Sequence, residues 1–141
     1  MDVQINIKMP KVSEKVQKKI DSNKRRAFLA AAQEGVNTIV KRTTKGVSYH
    51  GGAFKPYSES YKETRIEKKR GTKPDLQLTG NMIASIQAKS TNRKGTIFFN
   101  SATESAKAQK NQQTRPFFGF DTKEEDSLRN TYRKWLLRGV E

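Results

Sequence analysis

At 141 residues the chain can build one hydrophobic core but hardly two, so a single domain over residues 1–141 is expected. With 33% hydrophobic against 30% charged residues that core must be lean, and the lack of cysteine excludes a disulfide framework and any thiolate metal site. The 29 Lys/Arg against 14 Asp/Glu leave a net charge of +15, a field that attracts DNA, RNA or an acidic protein surface without choosing among them.

The charge is uneven: residues 1–73 hold 18 of the basic and 7 of the acidic side chains. The first residues lack the basic start and apolar run of a secretory signal, and no later run approaches the ~18 apolar residues of a membrane span. A soluble protein without a membrane partner, compatible with a reducing cytosol, is expected.

In chain order, Val3, Ile5 and Ile7 alternate with polar residues, the period-two pattern of a half-buried edge strand, ended by Pro10. Ser13 is placed to cap a long helix reaching about Lys41, with Val16, Ile20, Ala27, Ala31, Val36, Ile39 and Val40 as its apolar stripe and Gly35 as a candidate bend. Lys15, Lys18, Lys19, Lys24, Arg25 and Arg26 fall largely off that stripe and form a basic face. Residues 43–57, with four Gly/Pro among polar residues, read as a flexible loop or hairpin.

Ser58 or Ser60 can cap a second, highly charged and mostly exposed helix to about Arg70, closed by Gly71. Leu76 and Leu78 then share one side of a short extended segment, and Thr79 caps a turn that carries Met82, Ile83 and Ile86 into the core. A hairpin follows, from Ser85–Thr91 through Asn92–Gly95 to Thr96–Asn100. Ala102–Gln112 is either a short helix or disordered. Asp121 or Thr122 starts a C-terminal helix with Leu128, Tyr132, Trp135 and Leu136 on one face, acidic residues near its start and basic ones near its end.

Catalytic chemistry finds little support. His50, the single histidine, lies in a Gly-rich loop without a sequence-adjacent partner, and Glu59, Glu63 and Glu67 are interleaved with Lys62, Arg65 and Lys69, the mixture of an exposed ion-pair surface. No phosphate-binding glycine loop, dinucleotide fingerprint or zinc spacing occurs, so neither an enzyme nor a cofactor is expected. Lys41, Arg42, Lys45 and Lys55 interleave with Tyr49, Phe54, Tyr57 and Tyr61, a composition suited to phosphate contacts with base stacking.

Three stretches in order carry a more specific signal: Pro56-Tyr57-Ser58-Glu59-Ser60-Tyr61, then Pro74-Asp75-Leu76-Gln77-Leu78-Thr79-Gly80-Asn81-Met82, then Arg115-Pro116-Phe117-Phe118-Gly119. Their pattern resembles the virion-morphogenesis or tail-completion family of long-tailed bacteriophages, whose members join or close the interface between a filled head and its tail. The resemblance covers about residues 50–138 and matches the N-terminal third only as a helix. Residues 106–112 depart from it by lacking the His and Gly that relatives often show there.

The expected fold is α+β, with a long N-terminal and a C-terminal helix on a small antiparallel sheet. The resemblance implies a structural role at the head–tail interface of a virion assembled in the bacterial cytoplasm. Its partners would be portal or tail proteins and further copies in a ring, with non-specific contact to packaged DNA. Phe117, Phe118, Phe54, Tyr57 and Tyr61 are the candidate interface residues, and Lys18, Lys19, Lys24, Arg25, Arg26, Lys41 and Arg42 the candidate DNA- or partner-facing ones. The alternative is a basic nucleic-acid-binding module with no particle role.

Overall fold

A computed structural model of the chain describes residues 1–7, 13–77 and 79–140. Its elements run β1 (Asp2–Ile5), α1 (Glu14–Thr44), α2 (Glu59–Glu67), α3 (Asn81–Ala84), β2 (Ile86–Ser90), β3 (Gly95–Phe99), α4 (Ala102–Thr114) and α5 (Thr122–Leu136). The fold is α+β, with a long N-terminal helix, a C-terminal helix and a three-stranded antiparallel sheet of order β1-β3-β2. The chain divides into two compact units, one of residues 2–37, 87–98 and 122 onward (the sheet unit), the other of residues 38–86 and 99–121 (the turn unit).

In the sheet unit, β1 lies at the edge and pairs with β3 in the register Val3↔Ile97 and Ile5↔Gly95, so the alternating apolar residues of β1 share one face. The strand stops at Ile5, short of the expected Ile7, and Pro10, expected to end it, lies outside the described residues. Thr91 closes the β2–β3 turn, its N–H donating to the Lys94 carbonyl at 2.8 Å and its hydroxyl accepting from the Arg93 and Lys94 N–H groups.

The Ser13 hydroxyl accepts from the Val16 N–H at the start of α1, as an N-cap does. The helix buries Ile20, Ala27, Phe28, Ala31 and Ala32 in this unit, continues through the buried Gly35, and leaves Val16 and Val36 half-buried. Small residues let other backbone come close. A Cβ on Gly95 of β3 would stand 2.8 Å from the Phe28 carbonyl oxygen and 3.3 Å from the Ala32 Cβ, so only glycine fits there.

On α5, Leu128, Tyr132 and Leu136 recur every four residues and are buried, with the Tyr132 ring 4.5 Å from that of Phe28. Trp135, expected on the same face, is half-buried instead, and the Arg138 guanidinium covers its ring at 3.9 Å. Asn23 of α1 donates to the Leu136 and Arg138 carbonyls at 2.9 and 3.0 Å, satisfying acceptors that the end of α5 leaves open.

In the turn unit, α1 runs three residues past the expected Lys41, with Ile39 and Thr43 buried. The loop after it closes on itself: Val47 bridges Ala53, Ser48 N–H donates to Gly52 O at 2.8 Å, and Phe54 N–H to Gly46 O at 2.9 Å. Ser58 caps α2, which stops at Glu67 rather than Arg70, and Lys69, with φ 58°, takes the left-handed position expected of Gly71. Leu76 is not extended but left-handed at φ 59°, and Leu78 lies outside the described residues. Gly80 occupies the N-cap of α3, while the Thr79 hydroxyl accepts from the Asn81 N–H. Residues 102–114, where the sequence left helix or disorder open, form α4, capped by Ser101, whose hydroxyl accepts from the Glu104 N–H.

The close approach at Gly95 gives a direct check. Gly95→Ala should lower stability by about 1–3 kcal/mol, because a backbone oxygen cannot yield as a flexible side chain can. Gly52→Ala, where a Cβ meets nothing within 4 Å, should leave the urea midpoint nearly unchanged. Equal midpoints for both variants would contradict this packing.

Candidate functional site

The most heavily constrained part of the turn unit is built around Arg65. An amphipathic reading would turn Ile66 inward, yet Ile66 is 61% exposed and Arg65 is 0% exposed. A buried guanidinium must find acceptors. Its Nε donates to the Gly71 carbonyl at 2.6 Å and one terminal nitrogen to Asp75 Oδ1 at 2.9 Å. Asp75 Oδ1 also accepts from the Gln77 N–H at 3.0 Å. The early end of α2 follows: the chain folds back after Lys68 to present Gly71 O to Arg65, and Arg70 N–H returns to Arg65 O at 2.7 Å.

Tyr57 completes the cluster. Its hydroxyl accepts the Leu76 N–H at 2.9 Å, and its ring carries the guanidinium of Arg65 at 5.0 Å and that of Arg115 at 4.6 Å. Tyr61 stands edge-on to it at 4.7 Å. Burial pushes the Tyr57 phenol above its ordinary pKa, against the lowering effects of the Leu76 N–H and of Arg65, so it stays a neutral hydroxyl through the physiological range. Arg115 in turn donates to the carbonyls of Lys55 and Pro56 at 2.7 and 3.0 Å.

Against this cluster lies a half-open cleft of about 720 Å³. Tyr57, Tyr61, Leu76 and Met82 give it an aromatic and aliphatic lining, Lys55, Pro56 and Arg115 form one margin, and Glu104, Lys107 and Asn111 of α4 another. Glu104 is buried, with Oε1 accepting from Lys107 Nζ at 3.1 Å and Oε2 without a protein partner. An apolar cleft with a few convergent polar groups is the form that binding sites commonly take. Among the described residues no three His, Cys, Asp or Glu side chains come together as a metal site, and no helix is long and apolar enough to cross a membrane.

The residues singled out in the sequence separate into distinct positions. Phe117 and Phe118 are 0% and 5% exposed, with the Phe118 ring 5.0 Å from Phe99, so both rings face the interior of this chain rather than a partner. Their turn is pinned through its backbone: Gln112 Oε1 accepts the Phe117 and Phe118 N–H groups, Gln112 Nε2 donates to Phe118 O, and Arg42 donates to the Phe117 and Gly119 carbonyls at 2.8 and 2.7 Å. Arg42 is thus an internal clamp, not an outward cation. Phe54 is buried, while Tyr57 and the half-buried Tyr61 border the cleft.

Of the four aromatics suited to base stacking, Phe54 and Tyr57 are therefore buried. His50 is exposed, its ring 4.2 Å from that of Tyr49. Lys18, Lys19, Arg25 and Arg26 are exposed in the sheet unit, where Lys24 pairs with Asp21 at 2.9 Å and holds that carboxyl below its usual pKa; Lys41 is exposed in the turn unit.

Sequence reasoning missed Arg65, Arg115 as a positioning residue, and Glu104. Periodicity assigns charges outward, so nothing marked Arg65 as buried. The available signal was the run of Tyr57, Tyr61 and Arg65 at spacing four, which lines up two rings and a guanidinium where α2 begins. No protein-family model, curated protein or solved structure matches the chain.

Removing one member of the buried pair should be worse than removing both. Asp75→Asn should lower stability by about 2–4 kcal/mol, a little under the usual loss for a buried pair because the Asp75 side chain is 25% exposed. Arg65→Met with Asp75→Asn should lose less than the two single changes added together. Strict additivity in a double-mutant cycle from urea unfolding would show that the pair does not act as a unit.

Proposed function

We propose that this protein is a structural component of long-tailed phage assembly, acting at the head–tail interface as a neck or tail-completion protein. One observation carries the reading: the three separated stretches that resemble that family meet at one place. Tyr57 from the first holds the Leu76 N–H from the second, and Arg115 from the third lies over the Tyr57 ring. Residues of all three border the same cleft. Stretches scattered over some sixty residues of sequence thus meet in one construction.

On this reading several copies form a ring on a portal or tail template, and the cleft receives a segment of a neighbouring subunit or a portal or tail protein. Its aromatic and aliphatic lining supplies the buried anchor that an interface needs, and Lys55, Lys107 and Arg115 supply a polar margin. Phe117 and Phe118 do not line this surface.

Deleting the gene from its source genome, inducing the resident phage and viewing lysates by electron microscopy tests the role. Separate heads and tails, rejoined when the protein is supplied, are expected. Thr114→Trp, which fills the cleft from an exposed position at the end of α4, should stay folded and fail to rejoin them. Normal joined virions from the deletion would remove the neck role, and full rescue by Thr114→Trp would remove the cleft from it.

A further inference from the structure

The first turns of α1 present a dense row of exposed cations on one face. Lys15, Lys18, Lys19, Arg25 and Arg26 are all exposed, and their helical positions centre opposite the buried stripe of Ile20, Ala27, Phe28 and Ala31. Lys15 faces Lys18 and Lys19 at i+3 and i+4, spacings at which like charges repel, and it sits in the first turn, where the helix dipole disfavours a cation. None of the five has an ion-pair partner among the described residues, although Glu14 stands four residues before Lys18; Asp21 pairs with Lys24.

The end of α5 adds to the same region of the sheet unit. Asn23 binds the Leu136 and Arg138 carbonyls, and the Lys19 side chain lies against Gly139, its Cε 3.2 Å from where a Cβ there would stand. Exposed cations gathered on one face in this way attract a polyanion.

We propose that this face of α1 binds the phosphate backbone of duplex DNA without regard to sequence. Protein interfaces are depleted in lysine and built around aromatic or aliphatic anchors, and this face offers no such anchor. Single strands are held by stacking on free aromatic faces. In this unit Phe28 and Tyr132 are buried, while Lys89 covers Phe98 and Arg138 covers Trp135. What remains is a rod of cations spread over roughly 16 Å of helix axis, suited to successive phosphates. This binding is independent of the neck role, because purified protein and DNA report on it without any particle.

The test is fluorescence anisotropy of the full chain with a labelled duplex of mixed sequence, titrated with KCl. About five phosphate contacts should give a slope near −4.5 in log K against log [salt], or roughly 500-fold weaker binding at 200 than at 50 mM. Changing Lys15, Lys18, Lys19, Arg25 and Arg26 to Gln together should flatten the slope by about 4, with the far-ultraviolet circular dichroism and melting midpoint retained. A control variant with Lys68, Lys69, Lys73, Lys110 and Lys123, all exposed, changed to Gln has the same net charge and should keep most of the wild-type slope.

Equal losses in both variants would reduce the effect to net charge and overturn the proposal. So would tighter binding to a single strand of the same length, or stripe-dependent binding to polyglutamate that matches binding to the duplex.

Discussion

A guanidinium shut away from water needs acceptors, and the turn unit gives Arg65 two, at Nε and one terminal nitrogen, while the other terminal nitrogen has none. The cost of burying it unpaired exceeds what any single helix turn contributes. Gly71 O and Asp75 Oδ1 therefore stand within hydrogen-bond distance, and the chain between residues 68 and 77 adopts two left-handed residues, Lys69 and Leu76, to bring them there. Non-glycine residues accept that conformation at a cost, and here the ion pair offsets it. Tyr57 then fixes the far side of the loop by accepting the Leu76 N–H. The cleft inherits its shape from these contacts.

A different constraint governs the sheet unit: backbone packed so closely against backbone that one side chain must be absent. Gly95 meets the Phe28 carbonyl, Ala27, Ala31 and Ala32 keep the buried face of α1 low, and Phe28 with Tyr132 fills the space beside them. A chain only one-third hydrophobic makes its core by close approach more than by bulk. The basic face of α1 is the outward consequence, since a helix with so small an apolar stripe leaves most of its circumference to charge.

What could be read from the sequence was whatever follows a period. The alternation of Val3 and Ile5 in β1, a turn from Asn92, the four-residue spacing on α5 and the caps at Ser13 and Ser58 all express local backbone rules, and the structure has each of them. The errors fall where a long-range polar contact overrides the period. Arg65 was assigned outward because charges usually are, and Gly71 was assigned the left-handed position that Lys69 takes. Trp135 was placed inward by spacing, whereas Arg138 shields it at the surface. Phe117 and Phe118 could be core or interface from sequence alone. Their burial depends on Gln112 and Arg42 holding the turn's backbone, which no spacing rule reveals. Of the cleft, Tyr57 and Tyr61 were legible as candidates, but Glu104 and Arg115 were not.

The proposed function depends on the Tyr57–Arg65–Asp75 cluster, because Tyr57 and Asp75 belong to two of the three stretches behind the proposal and Tyr57 lines the cleft they border. Its most exposed claim is a single hydrogen bond from a loop amide to a buried phenol. Amide hydrogen exchange by NMR reads this bond directly. The Leu76 N–H should be protected in the wild type and exchange near the rate of open loops in Tyr57→Phe, while the Asn100 N–H, bonded to Ser85 O, keeps its protection. Fast exchange of Leu76 in the wild type would contradict the account.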